Sequence, residues 1–240
     1  MLGLDPIVWV VAIPVVIAGS LLQASLGFGL GLVTSPILVL LDPSLVPGVI
    51  VGISVPLAMV IAWRERQALD TRLVRWAIIG RVPGSVAGGL AVVALGTRSL
   101  SIAFAITILA GVAISVAGVS VRRTDPTMLA AGFVSGLTGT ATSVGGPPMA
   151  LVLQRSTGPE LRSAMAAFMA FGSVISLGFL VVFGEFGGRE LGITTVLFPA
   201  AVSGFLVSSR TNEVLDRGYT RPAVLIVASV SAIAILIRAL

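Results

Sequence analysis

The chain has 240 residues, of which 56% are hydrophobic and 10% charged, and its mean hydropathy is +1.10. Soluble domains carry about a quarter of their residues as charged side chains, so this composition excludes an ordinary soluble domain. Cysteine and histidine are absent, which excludes disulfides, thiol chemistry and thiolate or imidazole metal sites. All 15 basic residues are arginine, and the net charge of +5 suits membrane-protein loops without any nucleic acid.

Eight apolar runs without charge follow one another along the chain, and they predict an all-α polytopic membrane protein. The residues before the first run, MLGLDP, hold no Lys or Arg, which argues against a cleaved signal peptide. The third run is expected to begin earlier, near Leu73, and so to enclose Arg75 and Arg81. The runs are 7–41, 43–63, 82–97, 99–121, 126–154, 163–184, 191–209 and 222–237.

Two of these runs have the wrong length for a single crossing. Runs 7–41 and 126–154 hold 35 and 29 residues, which as straight helices would be about 52 and 43 Å long, against a hydrocarbon core of about 30 Å. Two crossings with a turn would need about 40 residues or more. A crossing helix followed by a short returning half-helix fits both runs. The predicted breaks lie in GFGLGLVTSP and GTATSVGGPP, where irregular backbone needs protein or a water-filled cavity around it.

The placement of arginine favours the returning half-helix, because cytoplasmic loops carry the excess of positive charge. All four arginine clusters lie on the cytoplasmic side if run 126–154 enters the membrane and returns to the side from which it entered. A simple crossing would instead put the lone Arg189 inside and the last two clusters outside. The clusters are 64–75, 122–123, 155–162 and 210–221, with a lone Arg98 outside.

The two broken runs also match each other, which predicts an internal repeat with halves 1–122 and 126–240. Each half would hold one broken hairpin and three crossings, about eight membrane segments in all, and would enter the membrane from opposite sides. The alternative is a chance coincidence in a chain with 28 Gly and 13 Pro. The matches are Gly27 with Gly139, Pro36 with Pro148 and Pro47 with Pro159 at an offset of 112, then Pro83 and Gly88 with Pro199 and Gly204 after a four-residue shift.

In such folds the substrate lies near the midplane, where the broken helices meet. Half-helices starting at Pro36 and Pro148 would direct backbone N–H groups and positive dipole ends into the site, which suits an anion. The alternative is that small residues there only permit close helix packing. The predicted binding residues are Gln23, Gly27, Phe28, Gly29, Thr34, Ser35, Gly139, Thr140, Thr142, Ser143, Gly145 and Gly146, with Pro36, Pro147 and Pro148 as helix-break prolines.

Arg81 is the basic residue expected deepest inside a span, and it completes the predicted site. An arginine there is costly unless it faces a cavity or a partner. All ten acidic residues lie in loops or at the ends of runs, so an anionic substrate is the missing partner. The alternative is that the span starts later and Arg81 reaches the interface. The matching position in the second half is Leu197.

Enzyme chemistry is not expected, because no pair of carboxylates lies at membrane depth and histidine and cysteine are absent. Because these residues are missing, we expect neither a resident metal nor a cofactor. Three ways of energy coupling stay open: the protonation of the substrate itself, Na⁺ held by broken-helix carbonyls, or none.

At these residues the sequence resembles a known family. GFGLGLVTSPILVLL, which returns in altered form as SGLTGTATSVGGPPMALVLQ, resembles the duplicated signature of the TauE/SafE family of sulfite and organosulfur exporters. VPGSVAGG and FPAAVSGF resemble the third-span motif of that family. The second copy has TATSVGG where a more glycine-rich run is usual.

The resemblance covers nearly the whole chain and implies a permease of the bacterial cytoplasmic membrane for sulfite, sulfonates or related sulfur anions. Residues and resemblance agree on a small anion as the partner in the bilayer, moved by alternating access between the two broken helices. A passive anion channel is one alternative. A membrane scaffold or assembly factor without a transported substrate is another.

Overall fold

The computed structural model describes residues 3–69, 71–95, 97–117, 121–153, 155–156 and 158–215, with Ser229, Ile233, Leu236 and Ile237. These residues form helices and their connections, and no strand occurs among them. The eighth predicted run, 222–237, lies outside the described residues apart from those four positions.

Nine α-helices occur in the described part of the chain. Five helical segments there are long and apolar enough to cross a membrane: Pro6–Ser25, Pro43–Glu65, Val74–Ala94, Glu160–Val182 and Gly188–Ser208. The described part of the chain is therefore all-helical, and the protein is an integral membrane protein. The helices are α1 Pro6–Leu26, α2 Leu30–Leu41, α3 Gly48–Glu65, α4 Thr71–Ala94, α5 Thr97–Val116, α6 Asp125–Thr142, α7 Gly146–Leu153, α8 Gly158–Val182 and α9 Gly188–Leu215, with 3₁₀ turns at Pro43–Leu45 and Arg66–Ala68.

Both long apolar runs are broken, as their length predicted. The first break, residues 27–29, separates α1 from α2, and the second break, residues 143–145, separates α6 from α7. Gly27 and Gly29 have φ of 84° and 142°, and glycine adopts such angles at little cost. Ser143 ends α6 in the left-handed region with φ of 63°. α4 begins at Thr71 and so includes Arg81, also as predicted.

The prediction that a half-helix starts at Pro36 is wrong. α2 begins at Leu30, and Pro36 is its seventh residue. The glycines of the first break, not the proline, end one helix and allow the next to begin. A proline inside a membrane helix removes one N–H donor, which neighbouring groups can compensate. In the second run α7 begins at Gly146, so Pro147 and Pro148 lie in its first turn, where proline is tolerated.

The helix ends of the two broken runs are related by a different offset from the one that their prolines suggested. Gly27 and Ser143, which follow the last residues of α1 and α6, are 116 positions apart, as are Leu30 and Gly146. The same offset relates Pro83 to Pro199. Aligning the prolines gave 112 for the breaks and required a four-residue shift. Aligning the helix ends gives 116 without any shift.

The packing of the helices follows the same offset. α4 packs most extensively against α6, and α1 packs against α9, while α3 packs against α8. Under the 116-residue offset α1 corresponds to α6 and α4 to α9, so the first two contacts are equivalent. Gly88 fits against the backbone of Leu137, and Gly204 fits against that of Leu21, which is the position equivalent to Leu137. A side chain on either glycine would collide with the facing helix.

The two larger clusters of the buried core are divided in the same way, apart from a smaller third cluster formed by Leu32, Val39, Ala105 and Val144. One cluster joins side chains of α1, α2, α3 and α9, with Ala166 of α8 added, and a second joins α4, α6, α7 and α8. The four helices of one set correspond to the four of the other at the 116-residue offset. Helices α1 and α2 therefore share a core with α3 and α9, and helices α6 and α7 share one with α8 and α4.

Ion pairs lie at the two ends of this bundle. At one end Glu65 lies 2.9 Å from Arg64 and 3.9 Å from Arg162. At the other end Arg189 lies 3.8 Å from Asp42. α3 connects the two ends over about 27 Å, which is close to the thickness of a hydrocarbon core.

Candidate functional site

The two breaks lie against each other in the middle of the bundle. Gly31, in the first turn of α2, packs so tightly on Ser143 that a Cβ would collide with the carbonyl oxygen of that serine. Gly146, the first residue of α7, packs on the side chain of Phe28 in the first break. Each break therefore touches the first turn of the other half-helix. This arrangement brings two helix N-termini together, so that the N–H groups of two first turns and the positive ends of two helix dipoles meet.

A small cavity lies between the breaks and leaves about 40 Å³ for the centres of water-sized molecules. A single water needs about 10–15 Å³ on this measure, so the space accepts a small group of a few heavy atoms. Polar and apolar residues both contribute to its wall. The lining consists of Gln23, Phe28, Gly29, Gly31, Leu32, Val51, Ser54, Arg81, Gly139, Ser143, Val144, Gly145, Gly146, Pro147, Met169, Ser173 and Ser176.

Arg81 brings a positive charge to this cavity. Its side chain is buried, with the residue 3% exposed, and Nη1 donates a hydrogen bond of 2.8 Å to Ser135 Oγ. The guanidinium lies 4.8 Å from the ring centroid of Phe168, a cation–π contact. Its Nε–H has no hydrogen-bond partner among the described residues. None of the ion pairs in the described part of the chain involves Arg81.

Glycines create the space that the guanidinium occupies. A Cβ on Gly172 of α8 would collide with Nε and Cζ of Arg81. A Cβ on Gly139 would lie 3.0 Å from Nη2, and one on Gly145 would lie 3.1 Å from Nη1. Arg81 can therefore reach the second break only because three facing positions lack side chains.

Gln23 lies beside the first break, as Arg81 lies beside the second. Its Oε1 accepts a hydrogen bond of 3.3 Å from the backbone N–H of Leu30, the first residue of α2. At the 116-residue offset Gln23 corresponds to Gly139, against which Arg81 packs. An amide thus lies beside one break and a guanidinium beside the other. The site is chemically asymmetric even though the helices around it correspond.

Most of the predicted residues line this cavity. Nine of them lie in its wall: Gln23, Phe28, Gly29, Arg81, Gly139, Ser143, Gly145, Gly146 and Pro147. The hydroxyl of Ser143 is already used, since it donates to the carbonyl oxygen of Pro47 at 3.2 Å.

The other predicted residues lie behind the wall or beside it. Thr34 and Thr142 donate their hydroxyls to carbonyls one turn back in their own helices, and Thr140 hydrogen-bonds with Ser176 at 2.7 Å. Ser35 is buried, and its hydroxyl has no partner among the described residues. Gly27 packs on Met165. Pro36 lies inside α2, and Pro148 follows Pro147 in the first turn of α7.

Among the small and polar residues of the site, the sequence-based prediction missed four serines and two glycines, and one of these glycines, Gly31, lines the cavity. Ser54 on α3 and Ser173 and Ser176 on α8 line the cavity, while Ser135 and Gly172 hold Arg81 from behind. Ser54, Gly172, Ser173 and Ser176 lie in α3 and α8, which carry no break, whereas Ser135 lies in α6 and opens the stretch SGLTGTATSVGG. For Ser173 and Ser176 the available signal was their i, i+3 spacing, which puts both on one face of α8.

The arrangement suits binding of an anion. The described wall offers a guanidinium and two half-helix N-termini, and it contains no Asp or Glu. Its serine hydroxyls are already engaged: Ser176 pairs with Thr140, and three others donate to backbone carbonyls, namely Ser54, Ser143 and Ser173. Donors of this kind recognise oxyanions through charge-assisted hydrogen bonds.

Comparisons with known proteins agree with this chemistry. The family model described as "Sulfite exporter TauE/SafE" matches residues 11–235, which include at least part of every helix described above. Comparisons with curated proteins and with solved structures found no match. The resemblance noticed in the duplicated signature is thus confirmed by a match over almost the whole chain. The chain belongs to the sulfite exporter TauE/SafE family, a family of membrane transporters.

Proposed function

We propose that this protein is a permease of the bacterial cytoplasmic membrane that moves a small sulfur oxyanion by alternating access. The anion binds in the cavity between the two breaks. The observation that carries the proposal is Arg81, a buried guanidinium in the cavity wall that forms none of the ion pairs of the described residues.

The free energy of a buried charge explains why an anion is the expected occupant. A guanidinium inside a membrane is destabilising unless another charge or a set of acceptors compensates it. Ser135 and the ring of Phe168 compensate part of it. An oxyanion in the cavity compensates the rest, and the N-termini of α2 and α7 favour the same sign of charge.

The size and chemistry of the cavity indicate the kind of anion. About 40 Å³ accommodates a sulfite ion or the head group of a sulfonate, and the apolar part of the wall, with Phe28, Leu32 and Met169, suits a short carbon chain beside it. The family match points to the same sulfur oxyanions.

Alternating access is supported by the correspondence between the two halves. An inverted-topology repeat would account for the common offset of 116 residues, for the equivalent contacts α1–α9 and α4–α6 and for the two matched core clusters. Halves 1–122 and 126–240 would each supply one broken hairpin and three crossings. Rocking of one half against the other would then expose the cavity to each side in turn.

The test is uptake of labelled sulfite, thiosulfate, sulfoacetate and sulfate by the reconstituted protein. Saturable uptake is expected for at least one of them, and Arg81→Ala should lower it at least thirtyfold, from the loss of about 2 kcal/mol or more when a buried charge partner is removed. Arg66→Ala is the matched control, since Arg66 is exposed at a helix end. Normal uptake by a folded Arg81→Ala variant contradicts the proposed site.

The same vesicles separate a permease from the alternatives. A permease shows counterflow, in which external unlabelled anion accelerates exit of the label. Flux that neither saturates nor shows counterflow would identify a channel instead. A well-folded protein that gives no flux with any of the four anions would favour a scaffold.

A further inference from the structure

Ser135 lies behind the cavity wall, between Arg81 and the second break. It is a fully buried residue of α6. Its Oγ accepts the hydrogen bond from Arg81 Nη1, at 2.8 Å, and donates its own hydrogen to the carbonyl oxygen of Gly145. The hydroxyl is therefore part of a continuous chain of hydrogen bonds from the guanidinium to the break.

This chain of hydrogen bonds fixes the direction of the guanidinium. The group is planar and rigid, so an anchored Nη1 determines where its other N–H groups point. Phe168 covers the guanidinium and Gly172 packs against it, which leaves the side chain little room to rotate. Without the serine, the position of the guanidinium would depend on these contacts alone.

The second hydrogen bond of Ser135 reaches the backbone of the break. Gly145 is the last residue before α7, and both it and Arg81 line the cavity, whereas Ser135 does not. The hydroxyl thus connects two groups of the cavity wall while lying outside that wall. In the first half the equivalent position is Gly19, so this connection exists only on the side that carries the charge.

We propose that Ser135 is a positioning residue for anion binding, which holds Arg81 toward the cavity and couples it to the second break. This inference rests on the proposed function of the Arg81 site. Ser135 acts through Arg81 and Gly145 and does not itself contact the anion. Loss of its hydroxyl should therefore weaken binding while the steps that follow binding continue.

The first test compares Ser135→Ala with Ser85→Ala in reconstituted vesicles supplied with labelled sulfite. Ser85 is the matched control, because it is equally buried but its Oγ has no partner among the described residues. Ser135→Ala should raise KM about tenfold, as expected for a lost hydrogen bond to a charged group, and leave the maximal rate within about twofold. Ser85→Ala should leave both unchanged.

A second comparison separates positioning from a purely structural role. In an Arg81→Lys background the ammonium cannot reproduce the planar geometry, so Ser135→Ala should change KM less than about twofold further. A structural role predicts the full tenfold loss in both backgrounds, and that result would overturn the inference. An unchanged KM for Ser135→Ala in the wild-type background would do the same.

The control for folding is the melting temperature of each variant in detergent. If Ser135→Ala does not fold, Ser135→Gly is measured in its place, because glycine is the residue at the equivalent position of the first half. Failure of the inference and of the proposed function are distinguishable. Reduced uptake by Arg81→Ala with an unchanged KM for Ser135→Ala refutes only the positioning role, whereas normal uptake by Arg81→Ala refutes the site itself.

Discussion

Individual glycines determine how closely the two breaks approach each other, because they have no side chain. Gly31 has room for no Cβ, since the carbonyl of Ser143 occupies that space, and Gly146 is covered in the same way by Phe28. Gly178 on α8 shows the contrast, because a Cβ there would meet nothing within 4 Å. The two kinds of helical glycine respond differently to the same substitution.

We expect Gly31→Ala to lower both the melting temperature and the uptake of the anion, the latter at least tenfold. Its methyl group must push apart two backbones that pack in the centre of the protein, and overpacking of this kind costs about 1–3 kcal/mol. Gly178→Ala should keep wild-type uptake, and alanine should favour the helix by up to about 1 kcal/mol. Wild-type behaviour of Gly31→Ala would show that the breaks are not in contact.

At the scale of helices, Arg64 connects three helices at the end of the bundle that carries most of the arginines. Its Nη2 donates to the carbonyl oxygen of Ala24, which the first break leaves without a helical partner, and Nη1 donates to Ser208 Oγ at 3.3 Å. The guanidinium also lies 4.9 Å from the ring centroid of Phe205, and Nε pairs with Glu65. One side chain of α3 therefore links α1 and α9.

Replacing Arg64 by Ala should destabilise this end of the bundle. The carbonyl of Ala24 would lose its donor, at a cost of about 1–3 kcal/mol, which corresponds to a fall in melting temperature of about 2–12 °C for a chain of this length. Arg66→Ala is the control, since among the described residues the Arg66 side chain has its hydrogen bond and its ring contact with Trp63, in its own turn. Equal falls for both variants would mean that the contacts of Arg64 with α1 and α9 contribute nothing.

At the scale of the whole molecule, the contacts predict which loops share a side of the membrane. Arg123 Nη1 donates to Glu160 at 2.9 Å and to Ser156 at 3.3 Å, so the start of α6 and the segment after α7 lie at the same end of the bundle. Arg162 lies near Glu65 at that end. These contacts support a second run that enters and returns.

Accessibility of single cysteines tests this topology directly, because the natural chain has none. Arg66→Cys and Arg155→Cys should react with an impermeant maleimide from the cytoplasmic side. Glu185→Cys should react from the other side, since Glu185 lies next to the opposite end of α3. Labelling of position 155 from the same side as position 185 would rule out the returning half-helix and the inverted repeat.

The sequence by itself determined the class of protein, the existence of both breaks, the depth of Arg81 and the family. Each of these follows from the length, hydropathy or motif of one segment, and such local properties need no knowledge of neighbours. Arg81 is an example, since counting residues from the start of its run already placed it inside a helix.

Only the tertiary structure decided how the two broken runs correspond and what surrounds Arg81. The prolines suggested an offset of 112 and a helix start at Pro36, but glycine backbone angles set the first break, and the helix ends at the two breaks are 116 residues apart. Ser135 and Gly172 became recognisable only when α6 and α8 were packed around α4. Helices that are apolar on all sides carry little pattern to show which face meets which neighbour, so the partners of a buried arginine are decided by packing.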